Sequence, residues 1–431
     1  MVMIVYQAPK VKFVPGTKRA TCTRYKLRYQ LIPIHSNVQP LSSPFFSSKI
    51  KKKWTEKVFC MKSYIIIGAG ILGASTAYHL AKAGADVTII DRKDTGQATD
   101  AAAGIVCPWL SQRRNKVWYR LAKGGAKYYP SIIGQLEADG ETETGYKRVG
   151  AISLHTDVNK LHKMMERAEK LREDAPEIGE LTLLTSEETR QRFPLLSEEF
   201  QAVHVSGAAR VDGRAMRDAL LNGAKKNGAT LRQGDAGLLH EKNRITGVQI
   251  ADEVLRADGV IVTAGAWAKE LFQPLGIDFL VTSQKAQILH LEIGGGETGE
   301  WPVVMPPNDQ YLLAFPEGKV VAGATHENDV GFDHRVTAGG LHEVLQKATA
   351  VAPGIGDAAV VETRVGFRPF TPGFLPVFGA VPGFDDVWVA NGLGASGLTV
   401  GPYLGSELAK LVMGETTELD PADYDVAGAL G

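Results

Sequence analysis

The sequence predicts an α/β fold in which a discontinuous domain with a parallel sheet is interrupted by an inserted α+β domain with an antiparallel sheet. Two observations support this prediction. A strand–glycine–helix unit opens the interpretable part of the chain at residue 64, and a second such unit closes it at residues 387–413. Between them lie short strand-like segments separated by polar turns, which are typical of antiparallel sheets. The 431 residues suffice for two to three domains.

The first unit, residues 64–92, contains a complete dinucleotide-binding fingerprint. An apolar strand runs into Gly68-x-Gly70-x-x-Gly73, a helix follows, and a second strand ends at Asp91. The first glycine permits a tight turn, the second lets the backbone approach a diphosphate, and the third lets helix and strand pack closely. The helix N-terminus would hold the phosphates, and Asp91 would accept hydrogen bonds from a ribose. This unit predicts a Rossmann-type domain that binds FAD or NAD(P).

The second unit contains another Gly392-x-Gly394-x-x-Gly397, but no further strand or terminal acid follows it. We interpret it as a helix whose N-terminus points at the same cofactor. That arrangement suits a flavin, because backbone N–H groups and the helix dipole stabilise the negative charge of its reduced form. A glycine-rich loop that only packs against the sheet is the alternative.

The remaining elements follow from periodicity and turn residues. We expect helices at 116–140, 157–175 and 337–350, and another helix that begins near Asp212. Strands are expected in KRVGAISLHT, in an antiparallel meander at 236–258, in GVIV before TAGAW, and at 283–293 and 303–325. The predicted FAD-binding domain comprises 61–146, 205–280 and 355–431, and the predicted substrate domain comprises 147–204 and 281–354.

Residues 1–60 differ in composition from the rest of the chain. They carry 12 Lys and Arg residues, one acid (Glu56) and five scattered prolines, without amphipathic periodicity. Three interpretations remain open: a mistranslated leader upstream of a true start at Met61, an organelle transit segment, or a disordered extension. Under each of them, we expect no catalytic chemistry from this basic extension.

Charge and composition exclude several classes of protein. The whole chain has 48 basic and 48 acidic residues, so residues 61–431 carry a net charge of −11, which argues against nucleic acid as a partner. No run approaches 18 apolar residues, so we predict no transmembrane segment. Three cysteines without CxxC spacing, and histidines without metal-binding spacing, predict neither disulfides nor a metal site. A cytoplasmic protein is expected.

Several motifs in the same order resemble the D-amino-acid oxidase superfamily of FAD-dependent amine oxidoreductases, and within it glycine oxidase and bacterial D-amino-acid dehydrogenases. They are the fingerprint with its acid, DAAAG, GAARVD, TAGAW, YLLAFPEGKVVAGATHENDVGFD, GFRPFTPGFLPVFG and NGLGASGLT. The resemblance covers essentially all of residues 61–431. It implies a discontinuous FAD-binding domain with an inserted substrate domain.

The resemblance also implies site residues. The ADP half of FAD would be held by the fingerprint and the end of the second strand: Gly68, Gly70, Ile71, Leu72, Gly73, Asp91 and Arg92. The diphosphate, the adenine side and the flavin ring would contact Thr99, Ala102, Ala103, Gly104, Ile105, Ala236, Ala264, Gly265 and Trp267. The final loop would offer N–H groups to the flavin pyrimidine from Gly394, Ala395, Ser396, Gly397, Leu398 and Thr399.

For the substrate, the resemblance implies that Arg368 grips a carboxylate by a bidentate pair and that Tyr311 hydrogen-bonds to the same carboxylate. Two positions depart from the family. No cysteine lies beyond Cys107, so a thioether to flavin in the C-terminal half is impossible and FAD should be non-covalent. Ala395 stands where glycine oxidase carries an arginine.

The implied reaction is oxidation of the C–N bond of a small amino acid, such as glycine or a D- or N-alkyl amino acid. A hydride passes from Cα to flavin N5, and the resulting imine is hydrolysed to a keto acid. Oxygen or a quinone would reoxidise the flavin, and a homo-oligomer is possible. An NAD(P)-dependent reductase and a non-catalytic FAD-bound subunit are the alternatives.

Overall fold

The computed structural model of the protein describes residues 61–111 and 113–431, so the basic extension lies outside the described residues. The described residues form 20 strands and eight α-helices, numbered here in chain order.

A six-stranded sheet corresponds to the predicted parallel sheet. It consists of β1 (Ser63–Ile67), β2 (Asp86–Asp91), β9 (Thr230–Gln233), β13 (Gly259–Val262), β19 (Val377–Ala380) and β20 (Val387–Asn391). The spatial order is β19-β20-β13-β1-β2-β9, and neighbouring strands are parallel except for the β19–β20 pair. Since β1 lies among parallel neighbours, the carboxyl ends of β1, β2, β13 and β20 open on the same edge.

Both faces of this sheet are covered. One face packs on helices α1 (Ile71–Lys82), α2 (Lys116–Ala138), α5 (Gly213–Lys226) and α8 (Gly397–Met413). The other face packs on an antiparallel meander of β10 (Ala236–Glu241), β11 (Arg244–Ile250) and β12 (Glu253–Arg256), beside the short helix α6 (Ala268–Phe272). Ile66 faces the helices, whereas Ile65 and Ile67 face the meander, as the two-residue period of a strand requires.

An eight-stranded sheet corresponds to the predicted antiparallel sheet. It contains β5 (Ala151–His155), β6 (Leu181–Leu184), β7 (Gln201–Val205), β14 (Thr282–Glu292), β15 (Val303–Met305), β16 (Tyr311–Ala314), β17 (Lys319–Gly323) and β18 (Ala359–Phe370). The order is β18-β14-β17-β16-β15-β5-β7-β6, and only the β15–β5 pair is parallel. Helices α3 (Val158–Arg172), α4 (Ser186–Arg192) and α7 (Ala338–Val351) accompany it. A small sheet joins β3 (Ile105–Val106), β4 (Lys147–Arg148) and β8 (Ala209–Arg210).

Strand β18 lies elsewhere than the sequence prediction placed it. Residues 355–431 were assigned to the FAD-binding domain, but β18 pairs with β14 along its whole length, from Thr282↔Phe370 to Glu292↔Ala359. The motif at residues 366–369 lines the cofactor cavity, which is why its sequence resembles that of a cofactor-binding segment. Its strand nevertheless belongs to the larger sheet. The division into two domains itself remains a prediction.

Local sequence explains the ends of several elements. The predicted strand KRVGAISLHT is two strands, β4 and β5, because Gly150 between them adopts φ +76°. Helix α5 begins after Asp212, whose side chain caps the helix by accepting from the Ala215 N–H at 2.9 Å. Among the described helices, none combines the length and apolarity needed to cross a membrane.

Candidate active site

A cavity of about 630 Å³ opens at the carboxyl ends of β1, β2, β13 and β20. This is where ligands bind in open α/β sheets. With one exception, Gly73, every residue that the sequence analysis assigned to the cofactor or the substrate lines this cavity. The structure therefore brings together segments separated by more than 300 positions in the chain.

The three fingerprint glycines occupy distinct environments. Gly68 has φ +105°, and a Cβ there would lie 2.6 Å from the Thr263 carbonyl oxygen. A Cβ on Gly70 would meet only Thr99 Oγ1, at 3.4 Å, so the backbone is open to the cavity. Gly73 lies behind the wall, where a Cβ would be 1.9 Å from the Gly68 carbonyl oxygen. This close approach is the packing role that the fingerprint predicts for its third glycine, whereas a contact of Gly73 with the cofactor stays a prediction, since Gly73 does not line the cavity.

Two helices begin at the cavity without a side-chain cap. Gly70, which has no side chain, caps α1, and Ser396 caps α8 without a side-chain hydrogen bond to the N–H groups of that helix. In the first turn of α1, Ile71 N–H donates to Thr99 Oγ1 at 3.0 Å. The first N–H groups of a helix lack intrahelical partners and carry partial positive charge, so both helix ends favour an anionic ligand.

Asp91 and Arg92 form the rim at the end of β2. The Asp91 carboxylate is buried and accepts from the N–H groups of Ala69 and Lys93, both at 2.6 Å, and from Gln97 Nε2 at 2.8 Å. A carboxylate accepts about four hydrogen bonds, which leaves room for a ligand hydroxyl. Arg92 instead pairs with acids at the rim: Asp94 at 2.9 Å, Glu270 at 3.0 Å and Asp235 at 3.4 Å.

The loop at residues 96–105 forms one wall and is held by arginines that sequence reasoning missed. Arg214 Nε donates to the Asp100 carbonyl oxygen at 3.1 Å, and Arg364 donates to the same oxygen at 3.4 Å. Arg217 forms an ion pair with the Asp100 carboxylate. At the end of the loop, Gly104 adopts φ +100°, where a Cβ would lie 1.8 Å from the Val211 carbonyl oxygen.

Aromatic side chains close other parts of the cavity. Trp267 stacks on Phe332, with ring centroids 4.9 Å apart and an interplanar angle of 9°. Trp118, which the sequence analysis did not select, donates from Nε1 to Ser396 Oγ at 3.2 Å. Both tryptophans line the cavity. The wall is therefore apolar, with polar groups at a few defined points.

Arg368 is a half-buried cation on the cavity wall. Its Nη1 donates to Gln284 Oε1 at 3.0 Å. Within residues 61–111 and 113–431, no carboxylate oxygen lies within 4.0 Å of its guanidinium. Burial lowers the pKa of Arg368, although the neighbouring Tyr311 phenol acts in the opposite direction. A guanidinium in this setting favours an anionic ligand.

Tyr311 reaches Arg368 because a glycine lies beneath its ring. Tyr311 on β16 is paired with Gly323 on β17, and a Cβ on this glycine would lie 2.6 Å from the phenol oxygen. Burial raises the pKa of Tyr311, so the phenol stays protonated and can donate a hydrogen bond. The two side chains that the resemblance assigned to a substrate carboxylate thus lie together.

Two further titratable residues line this end of the cavity, Asp309 and His326. The His326 Nδ1 atom lies 3.7 Å from Asp309 Oδ2, and both oxygens of Asp309 contact Lys347 Nζ, at 2.9 and 3.1 Å. Asp309 lies two residues before the motif that begins at Tyr311, and His326 lies within that motif. No spacing rule marks them as a pair, because they come from loops beside different strands.

Comparisons with known proteins agree with this geometry. Residues 63–411 match the DAO family, described as FAD dependent oxidoreductase. An uncharacterized oxidoreductase of Bacillus subtilis strain 168, YurR, is 68% identical over 371 residues, which cover 86% of this chain and 100% of that protein. The glycine oxidase of Pseudomonas aeruginosa PAO1 is 30% identical over 373 residues, covering 85% of this chain and 99% of that enzyme.

Among solved structures, the iminodiacetate oxidase of Chelativorans sp. BNC1 superposes with a TM-score of 0.82 and 47% identity, covering 84% of this chain and 98% of that one. The chain therefore belongs to the DAO family of FAD-dependent oxidoreductases. It is an FAD-dependent enzyme, as the resemblance implied, and this favours FAD over the NAD(P)-dependent alternative.

Proposed function

We propose that the protein oxidises the C–N bond of a small amino acid, such as glycine or a D- or N-alkyl amino acid, with FAD held in the cavity. The observation that carries this proposal is Arg368, a half-buried guanidinium on the cavity wall whose described neighbours include no carboxylate. A substrate carboxylate would supply the missing partner through a bidentate, charge-assisted pair.

The cavity fits FAD at several independent points. The open backbone at Gly70 and the start of α1, where the cap residue has no side chain, suit the diphosphate. The remaining hydrogen-bonding capacity of Asp91 suits the ribose. The uncapped start of α8, with Gly394–Ser396 before it, suits the flavin pyrimidine. The other cavity residues that the resemblance assigns to the cofactor, from Thr99 to Thr399, would make van der Waals contacts with it. Gly73 would act through packing.

The chain's own residues would bind and orient the substrate. Arg368 and Tyr311 would hold the carboxylate, and Gln284 would fix the guanidinium by its 3.0 Å hydrogen bond. The apolar wall would exclude water from Cα. When bound, FAD would supply the acceptor for the hydride that leaves Cα, and water would then convert the substrate imine to a keto acid and ammonia or an amine. No side-chain base is needed at the carbon.

The names of the related proteins support an amine that carries a carboxylate. Glycine oxidase and iminodiacetate oxidase both act, by name, on such compounds. Because Ala395 stands where glycine oxidase carries an arginine, the proposed carboxylate site uses Arg368 and Tyr311 without a guanidinium from the final loop.

Anaerobic bleaching of the flavin tests the proposal. We expect at least one of glycine, sarcosine, iminodiacetate, D-alanine and D-proline to bleach the bound flavin, with L-alanine and a carboxylate-free amine as controls. Bleaching by the carboxylate-free amine at equal efficiency would contradict the proposal. The same reduced enzyme, mixed with oxygen or a quinone, would identify the electron acceptor.

A further inference from the structure

The backbone places His326 on the cavity face of the large sheet. Lys285 and Glu327 exchange two backbone hydrogen bonds, each 2.9 Å, so this segment pairs antiparallel with β14. His326 therefore lies opposite Ala286, and Asn328 lies opposite Gln284, to which it is bonded at 2.9 Å. Alternate residues of a strand share a face, so His326 and Asn328 point to the same side.

Arg368 lies on that face as well. Gln284 pairs with Arg368 and Ala286 pairs with Gly366 in the β14–β18 ladder. His326 and Arg368 thus lie on the two segments that flank β14, about 10 Å apart across the sheet and one same-face row, about 7 Å, apart along it. Both side chains line the same cavity, so an amino acid whose carboxylate pairs with Arg368 can direct its nitrogen toward His326.

The charges around His326 suit a neutral imidazole beside a fixed carboxylate. Partial burial lowers the pKa of His326, and the positive charges of Arg368 and Lys347 add to this, whereas Asp309 and Glu343 act in the opposite direction. Asp309 is ionised: burial would raise its pKa, but its bonds with Lys347 outweigh burial and lower it. Because both Asp309 oxygens contact Lys347, Asp309 itself is a poor proton acceptor.

On the proposed function, hydride can leave Cα only when the substrate nitrogen has a free electron pair, whereas an amino acid in neutral water is an ammonium ion. We propose that His326 is the base that accepts this ammonium proton, with Asp309 stabilising the imidazolium that forms. The N–H bond of the substrate breaks, its electron pair stays on nitrogen, and the proton is added to the imidazole nitrogen that faces away from Asp309. Since the His326 side chain is 40% exposed, the proton can pass to water.

The test compares pH profiles of anaerobic flavin reduction by sarcosine, or by glycine if sarcosine is inert. At pH 7 we expect His326→Gln to reduce flavin about 10²-fold more slowly than the wild type, and to recover most of that loss at about pH 10, where free amine is present. His334→Gln is the matched control, because His334 is an exposed histidine of the same segment outside the cavity wall. It should keep the wild-type profile.

Asp309→Asn supplies a second readout that does not need turnover. Removing the carboxylate should lower the pKa of His326, measured by NMR of protein labelled in its histidines, and shift the acidic limb of the rate profile to lower pH. An unchanged profile in His326→Gln, with normal FAD content, would overturn this inference and leave the proposed function standing. If no amino acid bleaches the wild-type flavin, the proposed function fails and this inference fails with it.

Discussion

Arg368 is the side chain on which the proposed binding of a substrate carboxylate chiefly depends. Arg368→Lys keeps the charge but loses the planar fork that binds both carboxylate oxygens. We expect weaker binding of the amino-acid substrate by about 2–4 kcal/mol, seen as a higher KM, with unchanged FAD content.

The control for this variant is an amine without a carboxylate, whose slow reaction should be the same in wild type and Arg368→Lys. If the best amino-acid substrate reduces the flavin of the variant normally, Arg368 has a structural role, and the amino-acid assignment loses its main support.

Gly104 offers a second test at the residue scale. A methyl group there would meet the Val211 carbonyl oxygen at 1.8 Å in addition to the strain of φ +100°. Gly84 has φ +87°, and a Cβ there would have no other atom within 4 Å. Gly84→Ala therefore reports backbone strain alone, a loss of about 1–2 kcal/mol in the free energy of unfolding. Gly104→Ala should lose more stability in urea than this control and should lose FAD, which absorbance measures. Equal losses in the two variants would show that the contact with Val211 can relax.

Cavity residues that obey a local sequence rule could be predicted from the sequence. Cavity residues that come together only through the tertiary fold could not. Gly68, Gly70 and Asp91 could be selected because a turn, a close approach and a strand end each demand a residue type at a fixed spacing, and all three line the cavity. Asp309 and His326 come from separate loops, and only the pairing of strands brings them together.

At the scale of elements, Lys285 anchors the segment that carries His326. Its side chain is fully buried, and its Nζ lies 3.4 Å from Glu327 and 3.5 Å from Asp333. Lys285→Met should destabilise the protein at neutral pH, because two carboxylates would lose the cation between them. Hydrogen exchange should increase in the segment 326–337.

The effect of Lys285→Met should depend on pH in a defined direction. The pKa of Glu327 is lowered, since bonds from Gln287 and Thr325 and the charge of Lys285 outweigh burial. Its contribution is therefore complete above the ordinary glutamate pKa and is lost as the pH falls through the lowered value. The stability difference in urea between wild type and variant should shrink in acid. Lys319→Met, which removes an exposed lysine, should change stability little at any pH. A difference that grows in acid would contradict this account.

The periodicity of the sequence predicted whether a segment is a helix or a strand. It did not predict the sheet to which a strand belongs. The helices at 116–140, 157–175 and 337–350 were predicted to within a few residues, because their apolar spacing is a local property. Strand β18 was misplaced because its motif near Arg368 faces the cavity, whereas its hydrogen bonds go to β14. A local pattern reports burial but not the partner strand.

At the scale of the whole molecule, we expect FAD to be held without a covalent bond. Cys107 is the one cysteine in the described residues, and it lines the cavity. Burial raises the pKa of its thiol to about 12, so the nucleophilic thiolate is scarce. Acid precipitation should leave the flavin in the supernatant, and Cys107→Ser should behave in the same way. Flavin fluorescence that stays with the denatured wild-type pellet would contradict this expectation.

The residues that form the cavity wall are spread along most of the chain, and this has a consequence for biosynthesis. The wall begins at Ile67 and is completed only at Thr399, because β20, which lies beside β13, and α8, which shares a core with α1, come late in the chain. A nascent chain on the ribosome therefore displays the fingerprint long before it can retain the cofactor. Loading of FAD should follow release of nearly the whole polypeptide, so that flavin content reports completed synthesis. Chains stalled before residue 387 should stay colourless and be cut readily by proteases, whereas released chains should turn yellow on adding FAD.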